Sequence, residues 1–148
     1  MKIVIGCDHA AFEAKERLVN FLKDKYQHTI EDVGTYSNDR CDYPVFAVEA
    51  VKKVVKEDIM GILLCGSGIG VSIVANRYKG IRAALCRTPD DAEMSRKHND
   101  SNVLCIGARV SSTEEIEKIV DSWLNNQFEG GRHSERIELF NTRIGEEI

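Results

Sequence analysis

A cysteine followed by glycines at alternate positions, Cys65-Gly66-Ser67-Gly68-Ile69-Gly70, is the most chemical stretch of this 148-residue chain. The apolar run from Ile59 to Leu64 ahead of it reads as a buried strand, and Val71 to Asn76 behind it reads as a helix. Strand, glycine turn and helix together let main-chain N–H groups face an oxyanion, and the helix end adds partial positive charge. A thiol in that setting is expected to ionise more readily than a free one. The spacing Gly-x-Gly-x-Gly is neither the dinucleotide fingerprint nor a Walker loop, so a small anion or a developing enolate suits this turn better than a nucleotide. The bland alternative is a strand-end core cysteine beside a structural turn.

Other residues with chemical potential are scattered. Asp8-His9 follows the first strand, where Asp can also be a simple helix cap. His98-Asn99-Asp100 closes a helix, where a cation and an αL-tolerant Asn are favoured for purely structural reasons. Tyr43, before Pro44, either packs or lines a site. Arg109 lies just past a strand end. Arg132 and Arg136, four apart after the Gly130-Gly131 hinge, would form one fork for a phosphate on a helix, or a solvated basic face. Lone His28 reads as solvated.

These residues need a scaffold that gathers them. Short apolar runs at Lys2 to Ile5, Thr29 to Val33, Ile59 to Leu64, Ile81 to Cys86 and Val103 to Ile106 alternate with helical stripes. The stripes are Ala11, Ala14, Leu18, Phe21 and Leu22; Ala47, Ala50, Val51, Val54 and Val55; the short stretch after Gly70; Thr88 to about His98, with Thr88 as N-cap; and Ile116, Ile119, Val120, Trp123 and Leu124. No hairpin signal separates the strands. The pattern predicts right-handed βαβ units building a three-layer α/β/α sandwich, a Rossmann-like five-stranded parallel sheet covered on both faces. In such sheets ligands bind beyond the carboxyl ends of the strands, where Asp8-His9, Cys65 to Gly70 and Arg109 all fall. From Glu129 the chain turns locally basic, and Ile137, Phe140, Ile144 and Ile148 share a helical face. That tail is expected to pack on its own body or on a second subunit.

Composition sets the bounds. Hydrophobic residues are 43%, charged residues 30% and the net charge is −4, which fits one globular domain over 1–148 and gives no global reason to expect nucleic acid or membrane binding. No apolar run approaches a bilayer span and no secretory signal is evident, so cytoplasm is the expected location. The five cysteines, Cys7, Cys41, Cys65, Cys86 and Cys105, are odd in number and lack Cys-x-x-Cys spacing, which supports neither a disulfide framework nor a zinc site. Cys86 and Cys105 read as core residues, as does Cys7, and Cys41 as a loop thiol.

Five separated motifs stand together in one order: Gly6-Cys7-Asp8-His9, Asp42-Tyr43-Pro44, Cys65 to Gly70, Ser95-Arg96-x-His98-Asn99-Asp100-x-Asn102, and Gly130-Gly131-Arg132-His133-x-x-Arg136. On these motifs the chain resembles the ribose-5-phosphate isomerase B family, the group that also holds galactose-6-phosphate isomerase subunits. The resemblance implies interconversion of aldose and ketose phosphates with no metal and no organic cofactor. It implies Cys65 as the base that moves a proton between C2 and C1, with Ser67 beside the amides of Gly66 to Gly70 that hold the enediolate. It implies His98 in ring opening, Asn99 as a substrate contact, Asp8 on a sugar hydroxyl, and His9, Arg109, Arg132 and Arg136 on the phosphate. It further implies a homodimer or tetramer whose sites are built from two chains, with the 129–148 tail exchanged at the dimer interface. One departure is visible: Ala10-Ala11 stands where the family often has glycine.

The expected activity is therefore ribose 5-phosphate to ribulose 5-phosphate isomerisation in the pentose phosphate pathway. The alternatives are galactose-6-phosphate or allose-6-phosphate isomerisation, or a non-catalytic sugar-phosphate-binding subunit. A cysteine hydrolase would need a His beside the thiol, and a phosphatase loop an arginine a few residues on; Arg77 lies too far along, so Cys65 is expected to act as a base and not as a covalent nucleophile.

Overall fold

The computed structural model describes residues Met1–Ile148, and the two hydrophobic periods separate cleanly into strands and helices. The order is β1 (Lys2–Cys7), a 3-10 turn (His9–Ala11), α1 (Phe12–Tyr26), β2 (Thr29–Asp32), α2 (Tyr43–Glu57), β3 (Met60–Cys65), α3 (Ile69–Ala75), β4 (Ala83–Leu85), α4 (Pro89–Asn99), β5 (Val103–Gly107), α5 (Thr113–Leu124) and α6 (Arg132–Arg143). Every strand pair is parallel, and the sheet order is β2-β1-β3-β5-β4.

Side chains alternate across the sheet, as the pleat demands. Ile3, Ile5, Ile62, Leu64, Leu104 and Ile106 face one way and meet Leu18 and Leu22 of α1 and Ile116, Ile119, Val120 and Trp123 of α5. Val4, Leu63, Cys65, Val103 and Cys105 face the other way and meet Ala47, Ala50, Val51 and Val54 of α2 and Val71 and Ala75 of α3. The three-layer sandwich expected from the periodicity is the one found, and Cys65 lies on its α2/α3 side.

Most strand ends differ from the sequence reading by one or two residues, and β4 and α3 differ in ways that bear on the site. β4 is three residues and not six; on its outer edge the Asn76 side chain accepts from the Ala83 amide at 2.8 Å and donates to the Ala83 carbonyl at 2.9 Å. α3 starts two residues early, at Ile69, with Gly68 as N-cap at φ +77°, a conformation open to glycine at little cost.

The tail is helical, as expected. It lies against its own chain: Ile137 is buried, Arg82 donates to the Asn141 side-chain oxygen at 3.2 Å, and Tyr78 pairs with Glu146 beyond the helix. Exchange of this segment with a second subunit is not what these intrachain contacts describe. Leu139 and Ile144 stay exposed, Ile144 by 61%.

Candidate active site

The chain leaves β1 toward β2 on one side and returns to β3 on the other, so the topological switch point lies between β1 and β3. Crevices outside the carboxyl ends at such points receive ligands because the two connections diverge there. Asp8 follows β1 and Cys65 ends β3, and the Asp8 amide donates to the Leu64 carbonyl at 3.3 Å.

The loop after β3 is drawn over the neighbouring strand. Ala108 donates to the Cys65 carbonyl at 2.8 Å and Arg109 to the Gly66 carbonyl at 3.0 Å. A Cβ on Gly68 would sit 2.7 Å from Leu85 and 2.8 Å from the Ile106 backbone, so only a glycine allows this approach. The exposed Arg109 side chain runs across Gly66, its guanidinium within 3.4 Å of where a Cβ would stand, and the Tyr43 ring covers Gly70 in the same way.

Cys65 is 4% exposed, and its Sγ accepts the Gly68 amide at 3.2 Å. The Ile69 amide donates to Ser67 Oγ at 3.1 Å. The amides of Gly66, Ser67, Gly70 and Val71 reach no protein acceptor, which leaves four N–H groups for an anion around the thiol. Nearby, Asp8 caps the 3-10 turn, its Oδ1 accepting the Ala10 amide at 3.0 Å, and Ala11 is fully buried against the core, which explains the small residues after Asp8-His9. His9 Nδ1 accepts the Cys41 amide at 3.2 Å, so a neutral His9 carries its proton on Nε2 and can donate from there.

His98 and Asn99 stand elsewhere. α4 runs back antiparallel to the strands, and it ends beside the amino end of the sheet: the Asn102 amide donates to the Arg82 carbonyl and the Gly61 amide to the Asn102 carbonyl. Gly61 and Cys65 are four residues apart on β3, about 13 Å at strand rise. One chain therefore does not bring His98 to its own Cys65. His98 instead stacks on His133 of α6, centroids 4.4 Å apart, and burial with the neighbouring His98 holds the His133 pKa below the ordinary histidine value. Arg132 and Arg136 project from the exposed side of the same first turns of α6, whose entry needs Gly130 and Gly131 at positive φ. The candidate residues thus form two groups at opposite ends of the sheet: Asp8, His9, Tyr43, Cys65 to Gly70 and Arg109 in one, His98, Asn99, Arg132 and Arg136 in the other.

A cavity of about 680 Å³ belongs to neither group's centre. It runs along the free edge of β4, lined by Ala83 to Cys86, Met94, Asn99, Phe140 and Ile144, and only Asn99 is a candidate site residue. The chemistry of Cys65, with its amides, outweighs cavity size in placing the site.

Sequence reading missed Lys15, fully buried, whose Nζ meets Asp32 Oδ2 at 2.8 Å and the Thr35 carbonyl at 2.5 Å. Its position offered a signal, since Ala11, Lys15, Leu18 and Leu22 share one helical stripe. It also missed the Cys41 amide on His9, which no local spacing encodes. His28, taken as solvated, stacks on Tyr26. Cys7, Cys86 and Cys105 are core residues, and burial pushes Cys7 up to about 12 and Cys86 up to about 11.

A parallel Rossmann-like sheet with a thiol beneath a loop of free backbone amides at its switch point defines the class, a doubly wound α/β protein. Sequence comparison sharpens this. The chain belongs to the Ribose/Galactose Isomerase family, whose profile matches residues 3–140. Ribose-5-phosphate isomerase B of Escherichia coli K12 is 46% identical over 138 residues, 93% of this chain and 92% of that protein. The crystal structure of a ribose 5-phosphate isomerase from Thermotoga maritima superposes with a TM-score of 0.92 at 47% identity, covering 95% of this chain and 97% of that one. Ribose-5-phosphate isomerase B of Mycoplasma genitalium, solved with bound ribulose-5-phosphate, gives a TM-score of 0.91 at 40% identity, covering 95% and 94%.

Proposed function

We propose that this chain interconverts D-ribose 5-phosphate and D-ribulose 5-phosphate, with Cys65 as the base and two chains contributing to each site. The observation that carries the reading is Cys65 Sγ held by the Gly68 amide among four unpaired N–H groups, in a family of aldose–ketose isomerases.

The proposed roles are these. His98, reaching in from a second copy, moves a proton between the sugar's anomeric hydroxyl and its ring oxygen to open the furanose, work for which imidazole is suited near neutral pH. The Cys65 thiolate takes the proton from C2, and the electron pair shifts into the C1 carbonyl to form a cis-enediolate. The free amides of the loop hold that negative charge, each donor worth roughly 3–4 kcal/mol in known oxyanion holes. The same sulfur returns the proton to C1 as the C2 hydroxyl proton passes to the C1 oxygen, leaving a hydroxyl on C1 and the ketone at C2. His9 Nε2 and Arg109 from one chain, with Arg132 and Arg136 from the other, grip the phosphate; binding energy at this remote group holds the sugar for reaction. Asp8, Tyr43 and Asn99 contact the sugar. No step requires a cofactor, and no covalent sugar–sulfur bond forms.

Activity of the purified chain alone on ribose 5-phosphate, against galactose 6-phosphate and allose 6-phosphate, tests the reading. Turnover of the pentose is expected. Turnover of a hexose phosphate alone would move the assignment to a hexose isomerase, and binding without turnover of any would make the chain a sugar-phosphate-binding subunit.

A further inference from the structure

Lys15 is the one charged side chain on the buried stripe of α1, and it is fully buried. Its ammonium meets both Asp32 carboxylate oxygens, at 2.9 and 2.8 Å, and the Thr35 carbonyl at 2.5 Å, with the Phe12 and Tyr36 ring centres 5.4 and 5.1 Å away. We infer that Lys15 is a positioning residue for His9: it ties the turn that carries His9 to the loop whose Cys41 amide orients the His9 ring. The inference rests on His9 as a phosphate contact in the function proposed above.

A buried ion pair is a poor source of stability. Withdrawing both charges from water costs about as much as their attraction returns, and apolar side chains of the same volume often do as well. What the Lys15 pair supplies is a fixed arrangement of two segments. The first runs from Asp8 through the 3-10 turn into α1; helical side chains lean toward the amino end of their helix, so Lys15 reaches back toward that turn. The second is the loop between β2 and α2. Asp32 Oδ1 accepts the Gly34 amide at 2.9 Å and the Asp32 carbonyl accepts the Tyr36 hydroxyl at 2.8 Å, so the residue that holds Lys15 also shapes the start of the loop. That start lies along the end of β1: the Cys7 amide donates to the Gly34 carbonyl at 2.6 Å and the Thr35 amide to the Cys7 carbonyl at 2.8 Å, one residue before Asp8. From Ser37 to Arg40 the only hydrogen bond is internal, the Asp39 amide on Ser37 Oγ at 3.2 Å, and the loop next bonds to the first segment where Cys41 donates to His9 Nδ1. Lys15 therefore closes at one end a contact that His9 and Cys41 close at the other. With Nδ1 occupied as an acceptor, the Nε2 proton is the one His9 offers a phosphate. Without the ammonium, the Thr35 carbonyl and the Asp32 carboxylate lose their shared partner, and the two segments lose the tie between them.

The test is a double-mutant cycle read by calorimetric binding of ribose 5-phosphate. Lys15→Met keeps most of the stem and removes the charge. It should weaken binding roughly 10-fold where His9 is present and less than about 2-fold in a His9→Asn background, because the loss runs through His9. Equal weakening in both backgrounds, or unchanged binding in a folded Lys15→Met protein, overturns the proposal. Lys15→Met/Asp32→Asn removes both charges at once and carries the same comparison if Lys15→Met alone does not fold. Nitrogen-15 spectra of the histidine rings, with His9 identified by its loss in His9→Asn, give a readout that a general loss of stability would not move. His9 should be the neutral Nε2–H tautomer in the unmodified protein and a mixture of tautomers in Lys15→Met. An Nδ1–H tautomer or an imidazolium in the unmodified protein at about pH 8 would equally overturn the proposal. A chain that binds ribose 5-phosphate without converting it, with the coupling intact, would refute the isomerase reading and leave the role of Lys15 standing.

Discussion

Mixing two inactive variants should restore activity. Cys65 ends β3 at the carboxyl side of the sheet, and His98 ends α4 at the amino side, with about 13 Å of β3 alone between Cys65 and the strand start that His98 flanks. A catalytic group must come within hydrogen-bond reach of the atom it serves, about 3 Å or one water further. On the roles proposed above, one chain does not serve both at a single sugar, and the proposed site pairs Cys65 of one copy with His98 of another. Cys65→Ala and His98→Ala homodimers each lack one group at every site. Random exchange of equal amounts makes about half of the dimers hybrid, and each hybrid has one of its two sites intact, so activity should return to about a quarter of the unmodified level. Exchange is followed by native mass spectrometry and turnover by ribulose 5-phosphate formation. Hybrids that form and stay as inactive as the parents would refute the shared site and place both groups in one chain.

Cys65→Ala alone should abolish turnover while ribose 5-phosphate still binds in calorimetry, because the phosphate contacts are untouched; near-normal turnover would remove Cys65 as the base. Arg136→Ala should raise KM with kcat largely kept, since a remote phosphate contact acts in both ground and transition states. Asp32→Ala should cost about 3–5 kcal/mol in urea unfolding, because it strands the fully buried Lys15 ammonium, and Lys15→Met should cost less. Trp123→Ala should cost about 3–5 kcal/mol as well, for a fully buried indole whose Nε1 also donates to Ser101. Alkaline stability should fall: Cys7 and Cys86 titrate near 12 and 11 in the fold against an ordinary value of 9.0, so unfolding releases protons above pH 9. Their contribution is complete below pH 9 and disappears as pH climbs toward 11–12, so urea midpoints should drop between pH 8 and 10.5, less steeply in Cys7→Ala.

Local pattern alone was enough for the scaffold. Period-2 strands such as Ile3-Val4-Ile5 and the 3.6-period stripe of α5 encode which face is buried, and the absence of hairpin turns implies parallel pairing; these are short-range properties of the chain. The same holds for the Cys65 loop, whose glycines announce a close approach before any neighbour is known. What folding alone decided is non-local. Lys15 accepted into the core by Asp32 and the Cys41 amide on His9 each depend on residues brought from distant positions in the chain. Above all, the direction of α4 across the sheet separates His98 from Cys65 and sets it against His133. A helix returning between two parallel strands must run against them, so residues that look like members of one site in sequence end at opposite poles of the domain.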